Sequence, residues 1–209
     1  MKKYEVIHQL KEHKIVAVIR GSSVQEATEI IQGAVQGGIR LIELTYTTPF
    51  IQEVFEEIRS LNAIIGAGTV LDSETARHAI LCGAKFIVSP GFNEDIARLC
   101  NRYGVPYLPG CMTLNEIVTA LEAGCDIVKL FPANHFTPGF IRSVNGPLPH
   151  VEIMPTGGID ADNMQGWLDA GAVAVGISSD LTKAYETGGV DAVVAASQQY
   201  CKKLLVEVR

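Results

Sequence analysis

The sequence predicts a single-domain α/β protein, a (β/α)8 barrel of the TIM type that spans residues 1–209. Three observations lead to this fold class. Eight short apolar runs fit parallel strands covered on both faces, amphipathic segments alternate with them, and a glycine recurs where helices give way to strands. The chain has 209 residues and is 47% hydrophobic, which is enough for one substantial core.

The predicted strands are short and rich in β-branched residues, and no charged cluster interrupts them. They are Ile15–Arg20, Leu41–Tyr46, Ile64–Val70, Phe86–Pro90, Pro106–Cys111, Ile127–Pro132, Val151–Gly157 and Ala172–Ser178.

Amphipathic segments with capping residues at their starts separate these strands. The best defined are Val24–Gln36, Ser73–Leu81, Asn93–Tyr103 and Leu114–Ala123. Asp72 is placed to cap the second of them, and Thr113 with Glu116 forms a capping box before the fourth.

A weak internal repeat supports the barrel. Glycines at the ends of helices, Gly38, Gly83, Gly124 and Gly171, recur at intervals of 45, 41 and 47 residues. A glycine there supplies the left-handed cap before the chain turns into a strand. Each interval holds two βα units, and eight such units close naturally into a barrel.

Composition excludes several classes of protein. The net charge is -6 and no basic cluster stands out, so a nucleic-acid surface is not expected. The five cysteines show no CxxC spacing and predict free, mostly buried thiols in a reducing compartment. The start lacks an apolar signal-peptide core, and no apolar run approaches the roughly 20 residues of a membrane span. We therefore expect a cytoplasmic location and no membrane partner.

Lys129 is a charge inside a strand that should be buried. Period-2 alternation places it on the same face as Ile127 and Phe131. An amine attacks a carbonyl only when it is unprotonated, and apolar neighbours such as Phe131 favour the uncharged form by desolvation. Lys129 is therefore a candidate nucleophile.

Glu43 is a second charge within a strand, on the face of Leu41 and Thr45. A carboxylate and an amine inside one barrel can reach each other, either as a structural pair or as a proton shuttle and a nucleophile. Because direct contact would favour the ammonium, we expect Glu43 to act mainly through water or substrate.

Two glycine- and serine-containing segments follow the last two strands. Gly157 and Gly158 let backbone N–H groups approach an oxyanion, and Ser178 and Ser179 add hydroxyls. Loops after strands 7 and 8 of such barrels often bind phosphate. A two-glycine turn alone is common, so the prediction of a phosphate site depends on both segments together.

The ordered set of motifs resembles the 2-keto-3-deoxy-6-phosphogluconate (KDPG) aldolase family, which also covers 4-hydroxy-2-oxoglutarate aldolases. The motifs are VKLFPA around Lys129, IEL-T around Glu43, IIGAGTV at Ile64–Val70, IVSPG at Ile87–Gly91, YLPG at Tyr107–Gly110 and PTGGI at Pro155–Ile159.

The resemblance implies a class I aldolase that needs no metal and no cofactor. It would cleave KDPG to pyruvate and glyceraldehyde 3-phosphate, the reaction of the Entner–Doudoroff pathway in carbohydrate metabolism, and it would form a homotrimer. Lys129 lines up with the Schiff-base lysine and Glu43 with the general acid/base. Thr69 matches a residue beside the pyruvyl group, and Pro90 and Phe131 match pocket-lining residues. The segments with Gly157, Gly158 and Ser179 match the phosphate site.

One position departs from the family pattern. Many members carry an arginine four residues after the glutamate, where it helps to hold the substrate carboxylate; here that position is Thr47. We propose that Arg20, at the end of the first strand, substitutes for it. A rim residue paired with a nearby acid is the alternative for Arg20.

Two other functions compete with the aldolase. One is another phosphate-binding barrel enzyme, such as a sugar-phosphate epimerase or decarboxylase, which would need a second acid/base or a set of metal carboxylates. The other is a regulatory barrel that kept the pocket. The five histidines show no evident metal-ligand pairing, so no metal site is predicted.

Overall fold

The structure is a computed structural model that describes residues 1–205. Helices and parallel strands alternate along the chain. The helices are α1 (Lys3–His13), α2 (Val24–Gln36), α3 (Ile51–Glu57), α4 (Ser73–Cys82), α5 (Glu94–Tyr103), α6 (Leu114–Glu122), α7 (Gly139–Asn145), α8 (Met164–Asp169) and α9 (Ser179–Leu205). The strands are β1 (Ile15–Ile19), β2 (Leu41–Thr45), β3 (Ile64–Gly68), β4 (Ile87–Val88), β5 (Tyr107–Leu108), β6 (Gly110–Cys111), β7 (Ile127–Leu130), β8 (Glu152–Pro155) and β9 (Val175–Ile177).

The strands form two parallel sheets of an α/β half-barrel fold. Six strands follow the order β5-β4-β3-β2-β1-β9, and three follow the order β6-β7-β8. All pairings between strands in both sheets are parallel. The parallel α/β class predicted from the alternating pattern is confirmed.

Each predicted strand is present, but the hydrogen-bonded ladder is shorter than the apolar run. The predicted strand Pro106–Cys111 is divided into β5 and β6, because Pro109 between them has no N–H to donate. The predicted strands also run past the observed ends. Arg20, Pro90 and Ser178, predicted inside strands, lie just beyond them, where the chain leaves the sheet.

Helix boundaries follow the capping signals closely. Asp72 accepts a hydrogen bond from the Thr75 N–H at 2.6 Å, and Thr113 with Glu116 forms the expected capping box. The glycines Gly38, Gly83, Gly124 and Gly171 all have positive φ, between 81° and 108°. The left-handed turn predicted from the repeat is therefore confirmed at all four positions.

The buried core has an inner and an outer layer. The outer layer packs helices on the sheets, and strand residues such as Ile42, Val128 and Leu130 belong to it. The inner layer contains alternate strand residues, including Leu41 and Ile127. The period-2 prediction for these strands is confirmed.

Helix α1 was not predicted, and it closes one end of the molecule. Its Val6 and Leu10 join the inner cluster together with Leu41 and Ile127, the first residues of their strands. The amino ends of the strands are thus covered, which leaves the carboxyl ends available for a site. Within residues 1–205, no helix combines the length and apolar character that crossing a membrane requires.

Candidate active site

The two charges predicted inside strands meet in the interior of the protein. Lys129 lies in β7 and Glu43 in β2, and the lysine Nζ donates a hydrogen bond to Glu43 Oε1 at 3.2 Å. Glu43 is 0% exposed and Lys129 5% exposed. Because β2 and β7 belong to different sheets, the contact spans the space between the inner faces.

This direct contact differs from the expectation that Glu43 would act mainly through water or substrate. Two opposite charges that share a buried space stabilise each other, since each alone would lose its hydration without compensation. Glu43 Oε2, however, has no hydrogen-bond partner among residues 1–205. A buried carboxylate oxygen that lacks a partner can accept a proton or a hydrogen bond from a ligand or water.

Gly68, at the end of β3, makes room for the Glu43 carboxylate. A Cβ atom built on Gly68 would lie 2.2 Å from Glu43 Oε1 and 2.6 Å from its Cγ. Gly68 is also the register partner of Thr45, two residues after Glu43 on β2. The close approach shows why a side chain is excluded here, although the sequence pattern marks Gly68 only as part of the IIGAGTV motif.

Phe131 and the turn at Gly157 lie beside the lysine. The Lys129 Nζ is 5.0 Å from the centroid of the Phe131 ring. A Cβ atom on Gly157 would lie 3.8 Å from the same ring. Phe131, which was predicted to line the pocket, therefore lies close to both Lys129 and the glycine turn predicted to bind phosphate.

Pro90 lies in a turn after β4 that packs on β6. A Cβ atom on Gly110 would be 2.0 Å from the Pro90 carbonyl oxygen, and Gly110 pairs with Lys129 across the sheet. Tyr107 anchors the turn, because its hydroxyl is 2.6 Å from Ser89 Oγ and donates to the Gly91 carbonyl at 3.2 Å. Burial raises the Tyr107 pKa well above its usual value. The phenol therefore keeps its proton.

Arg20 reaches the position where the family arginine is missing. Its Nε donates to Thr47 Oγ1 at 3.0 Å, and that oxygen is 2.8 Å from Thr45 Oγ1. Arg20 is exposed, while Thr45 is buried two residues after Glu43. Among residues 1–205, Arg20 forms no pair with an acid, which was the alternative; its side chain instead donates to the Thr47 hydroxyl.

Thr69 follows β3 directly and has φ of 56°. A β-branched residue in the left-handed region is strained, and such residues cluster at functional sites. Thr69 lies at the carboxyl end of β3, next to Gly68; its place beside a ligand stays a prediction.

The two halves of the predicted phosphate site lie on adjacent strands. Gly157 and Gly158 have φ of 98° and 73° directly after β8, and Ser179 is the first residue of α9. Thr156 forms a parallel bridge with Gly176 of β9, which brings both segments to one edge. Ser178 is half-buried, while Gly158 and Ser179 are exposed. Backbone N–H groups at the start of a helix attract anions.

One pair of potential metal ligands lies on α4, although no such pairing was predicted. His78 and Cys82 stand one turn apart on α4, with the sulfur 3.8 Å from the ring, and the His78 ring also contacts the Tyr46 hydroxyl at 2.8 Å. Within residues 1–205, no group of three His, Cys, Asp or Glu side chains is arranged around a common point. Two ligands are fewer than structural zinc sites use.

The sequence and the fold match known proteins. The profile of the aldolase family described as KDPG and KHG aldolase matches residues 6–196. The 2-dehydro-3-deoxy-6-phosphogalactonate aldolase of Escherichia coli K12 is 32% identical over 174 residues, covering 81% of this chain and 85% of that protein. The 2-dehydro-3-deoxy-phosphogluconate aldolase of Treponema pallidum is 35% identical over 162 residues, covering 76% and 77%. A solved structure described as native KDPGal superimposes with a TM-score of 0.84 at 29% identity, covering 93% of this chain and 95% of that one. The chain therefore belongs to the KDPG and KHG aldolase family.

Proposed function

We propose that the chain is a class I aldolase that cleaves KDPG to pyruvate and glyceraldehyde 3-phosphate through a Schiff base on Lys129. The observation that carries the proposal is the buried contact of 3.2 Å between the Lys129 amine and the Glu43 carboxylate. Membership of the family and the names of the relatives supply the substrate class. The alternative of an epimerase or decarboxylase is not favoured, because the family profile covers most of the chain.

The pair is suited to imine chemistry. Proton transfer from Lys129 to Glu43 yields a neutral amine, which adds to the C2 carbonyl of the keto acid and forms a carbinolamine. A proton delivered to the carbinolamine oxygen lets water leave, so that a protonated imine remains. The 3.2 Å separation lets one carboxylate serve these proton transfers.

Cleavage then breaks the C3–C4 bond. A base removes the proton of the C4 hydroxyl, C4 becomes the aldehyde carbon, and the bonding electrons move through C3 to the iminium nitrogen and give an enamine. Protonation at C3 and addition of water release pyruvate and regenerate the amine. Glu43 Oε2, which has no partner among residues 1–205, is the oxygen available for these transfers.

We assign the two ends of the substrate to different loops at the carboxyl ends of the strands. We assign the substrate carboxylate to Arg20 and Thr69, because Arg20 extends to Thr47 at the position of the missing family arginine. We assign the phosphate to Gly157, Gly158, Ser178 and Ser179, because these lie together after β8 and β9.

We further propose that the two sheets are parts of one closed (β/α)8 barrel in a single domain of residues 1–209. Three observations support closure. β5 and β6 are consecutive pieces joined through Pro109, the Thr156–Gly176 bridge connects β8 with β9, and Lys129 contacts Glu43 across the two sheets. A homotrimer remains the expectation from the family, and a cytoplasmic location remains the expectation from the composition. Sedimentation of the purified protein tests the trimer.

A second candidate is cleavage of the C4 epimer. The relatives at 32% and 35% identity are named for phosphogalactonate and phosphogluconate substrates, which differ at C4. Comparing kcat/KM for the two epimers decides between them.

Covalent trapping tests the proposed function. The protein is incubated with pyruvate and borohydride, and the adduct is mapped by mass spectrometry. We expect one reduced adduct on Lys129, and we expect Lys129→Met to lose both the adduct and turnover. An adduct on another lysine, or turnover by Lys129→Met, would refute the proposed mechanism.

A further inference from the structure

A tyrosine near the end of α9 forms a hydrogen bond to the first turn of the same helix. α9 contains Gly188 and Gly189 in non-helical conformations, which divide it into residues 179–187 and 190–205. Tyr200, in the second part, is 2% exposed and donates a hydrogen bond to Asp180 Oδ2 at 2.5 Å. Asp180 is the second residue of α9 and directly follows Ser179.

Lys203, one turn after Tyr200, holds the loop between β8 and α8. Its Nζ donates to the Ala161 carbonyl at 2.5 Å and lies 2.7 Å from Asp162 Oδ1. Two side chains of one helix thus contact both the β8–α8 loop and the start of α9.

The loop transmits this contact to the glycine turn. Asp160 Oδ1 accepts hydrogen bonds from the backbone N–H groups of Asp162 and Asn163, both at 2.8 Å. Asn163 Nδ2 in turn donates to the Gly158 carbonyl at 2.8 Å. The path from Lys203 to Gly158 therefore consists of consecutive hydrogen bonds.

The contacted residues adjoin the two halves assigned to phosphate, because Asn163 donates to Gly158 and Asp180 follows Ser179. Gly157 and Gly158 follow β8, and Ser178 and Ser179 follow β9. Gly158 and Ser179 are exposed. The backbone N–H groups of two separate segments converge on one anion only if both segments are held in a fixed relative position.

We infer that the second part of α9 is a clamp, with Tyr200 and Lys203 as positioning residues that hold the two halves of the phosphate site in register. The inference deepens the proposed function and rests on its assignment of the phosphate. Neither residue is assigned a contact with the substrate.

Tyr200 also controls where a negative charge lies. The Asp180 carboxylate, in the first turn of α9, would repel a phosphate dianion bound at the same helix end. Because Asp180 Oδ2 accepts a hydrogen bond from the buried Tyr200 hydroxyl, this carboxylate oxygen is directed toward the protein interior. Burial, and secondly the bond to Asp180, raise the pKa of Tyr200, so the phenol donates at neutral pH.

The test compares phosphorylated and unphosphorylated keto acids. With Tyr200→Phe we expect the KM for KDPG to rise about three- to tenfold, the range for a residue that modulates a site without touching the ligand. The KM for 4-hydroxy-2-oxoglutarate and both kcat values should change less than about twofold, since only the phosphate end is affected. An equal rise in both KM values, or no change in either, overturns the clamp.

Matched controls lie on the same helix. Tyr185→Phe removes another α9 hydroxyl, which donates to Glu29, and should leave the KM ratio of the two substrates unchanged. If Tyr200→Phe does not fold, Lys203→Met provides the second test, because Lys203 is 38% exposed in its side chain. Lys203→Met should raise the KM for KDPG relative to the KM for 4-hydroxy-2-oxoglutarate, as Tyr200→Phe does. Lys202→Met, at an exposed neighbouring position, should leave this ratio unchanged. A shift with Lys202→Met as large as with Lys203→Met contradicts the clamp.

Binding of inorganic phosphate separates this inference from the proposed function. Calorimetry with the intact chain and phosphate needs no turnover, so it tests the clamp even if KDPG is not cleaved. We expect wild-type protein to bind phosphate more tightly than Tyr200→Phe by the same factor as the KM change. Equal affinity, or no binding by the wild type, overturns the inference, whereas failure to cleave KDPG counts only against the proposed function.

Discussion

Replacing Gly68 by alanine should displace the Glu43 carboxylate without touching Lys129. The new Cβ would lie 2.2 Å from Oε1, 2.6 Å from Cγ and 2.8 Å from Cδ of Glu43, all closer than real Cβ contacts. Gly68 is not among the glycines with positive φ, so alanine fits the backbone itself. The three atoms nearest to the new Cβ therefore all belong to the Glu43 side chain.

The size of the effect follows from that geometry. To reach a tolerated contact the carboxylate must move by about 1 Å, and a displacement of this size can lower the rate about 100-fold. Loss of one general acid/base reduces rates by about 10²–10⁴. We expect kcat of Gly68→Ala to fall about 100-fold, the lower end of that range, with an overpacking loss of about 1–3 kcal/mol in the free energy of unfolding.

The assays are steady-state cleavage of KDPG and urea denaturation. Gly166→Ala is the control, because a Cβ there meets only Pro138 at 3.8 Å, and both activity and stability should be kept. In a Glu43→Ala background Gly68→Ala should cost little stability, since the clashing carboxylate is gone. Near-normal turnover by Gly68→Ala, or an equal stability loss in both backgrounds, would refute the reasoning.

Three further predictions concern other parts of the molecule. Arg20→Ala should raise the KM for the keto acid about tenfold or more with little change in kcat, because it removes a ground-state contact; unchanged kinetics remove Arg20 from the site. Tyr107→Phe should lower the free energy of unfolding by about 1–2 kcal/mol in urea titrations, because buried hydrogen bonds to Ser89 and Gly91 are lost; an unchanged midpoint contradicts this. Burial raises the pKa of Cys111 from 9.0 to about 12. Above pH 9 the unfolded chain releases this proton while the folded protein keeps it, so stability falls as the pH rises toward 12. The decrease in the free energy of unfolding from pH 8 to pH 10 should be about 1 kcal/mol smaller in Cys111→Ala than in wild type. Equal decreases in the two proteins are inconsistent with a buried neutral thiol.

Local signals in the sequence were sufficient for the class of fold and for the two central residues. Apolar runs alternating with capped helices predicted the parallel α/β arrangement, and the helix from Val24 to Gln36 has the predicted bounds. Lys129 and Glu43 stood out because a charge inside a β-branched run is costly unless it is paired. That argument needs only neighbours in the sequence.

Other features depended on residues that are far apart in the chain. The direct contact of Lys129 with Glu43, the place of Gly68 beside that carboxylate, and the Arg20–Thr47 hydrogen bond each join different strands or loops. Helix α1 has few buried residues, and its role in covering the strand ends appears only when the inner cluster is assembled.

The sequence by itself determined which side chains carry charge on the inner strand faces and where strands and helices alternate, because period and capping are properties of neighbouring residues. Tertiary structure decided the distances between those side chains, the glycine that leaves space for Glu43, and the contact of Tyr200 and Lys203 with two separate loops. These features depend on packing between segments that lie up to 86 residues apart in the chain, as Glu43 and Lys129 do. The sequence pattern of one segment carries no information about its distance to the other.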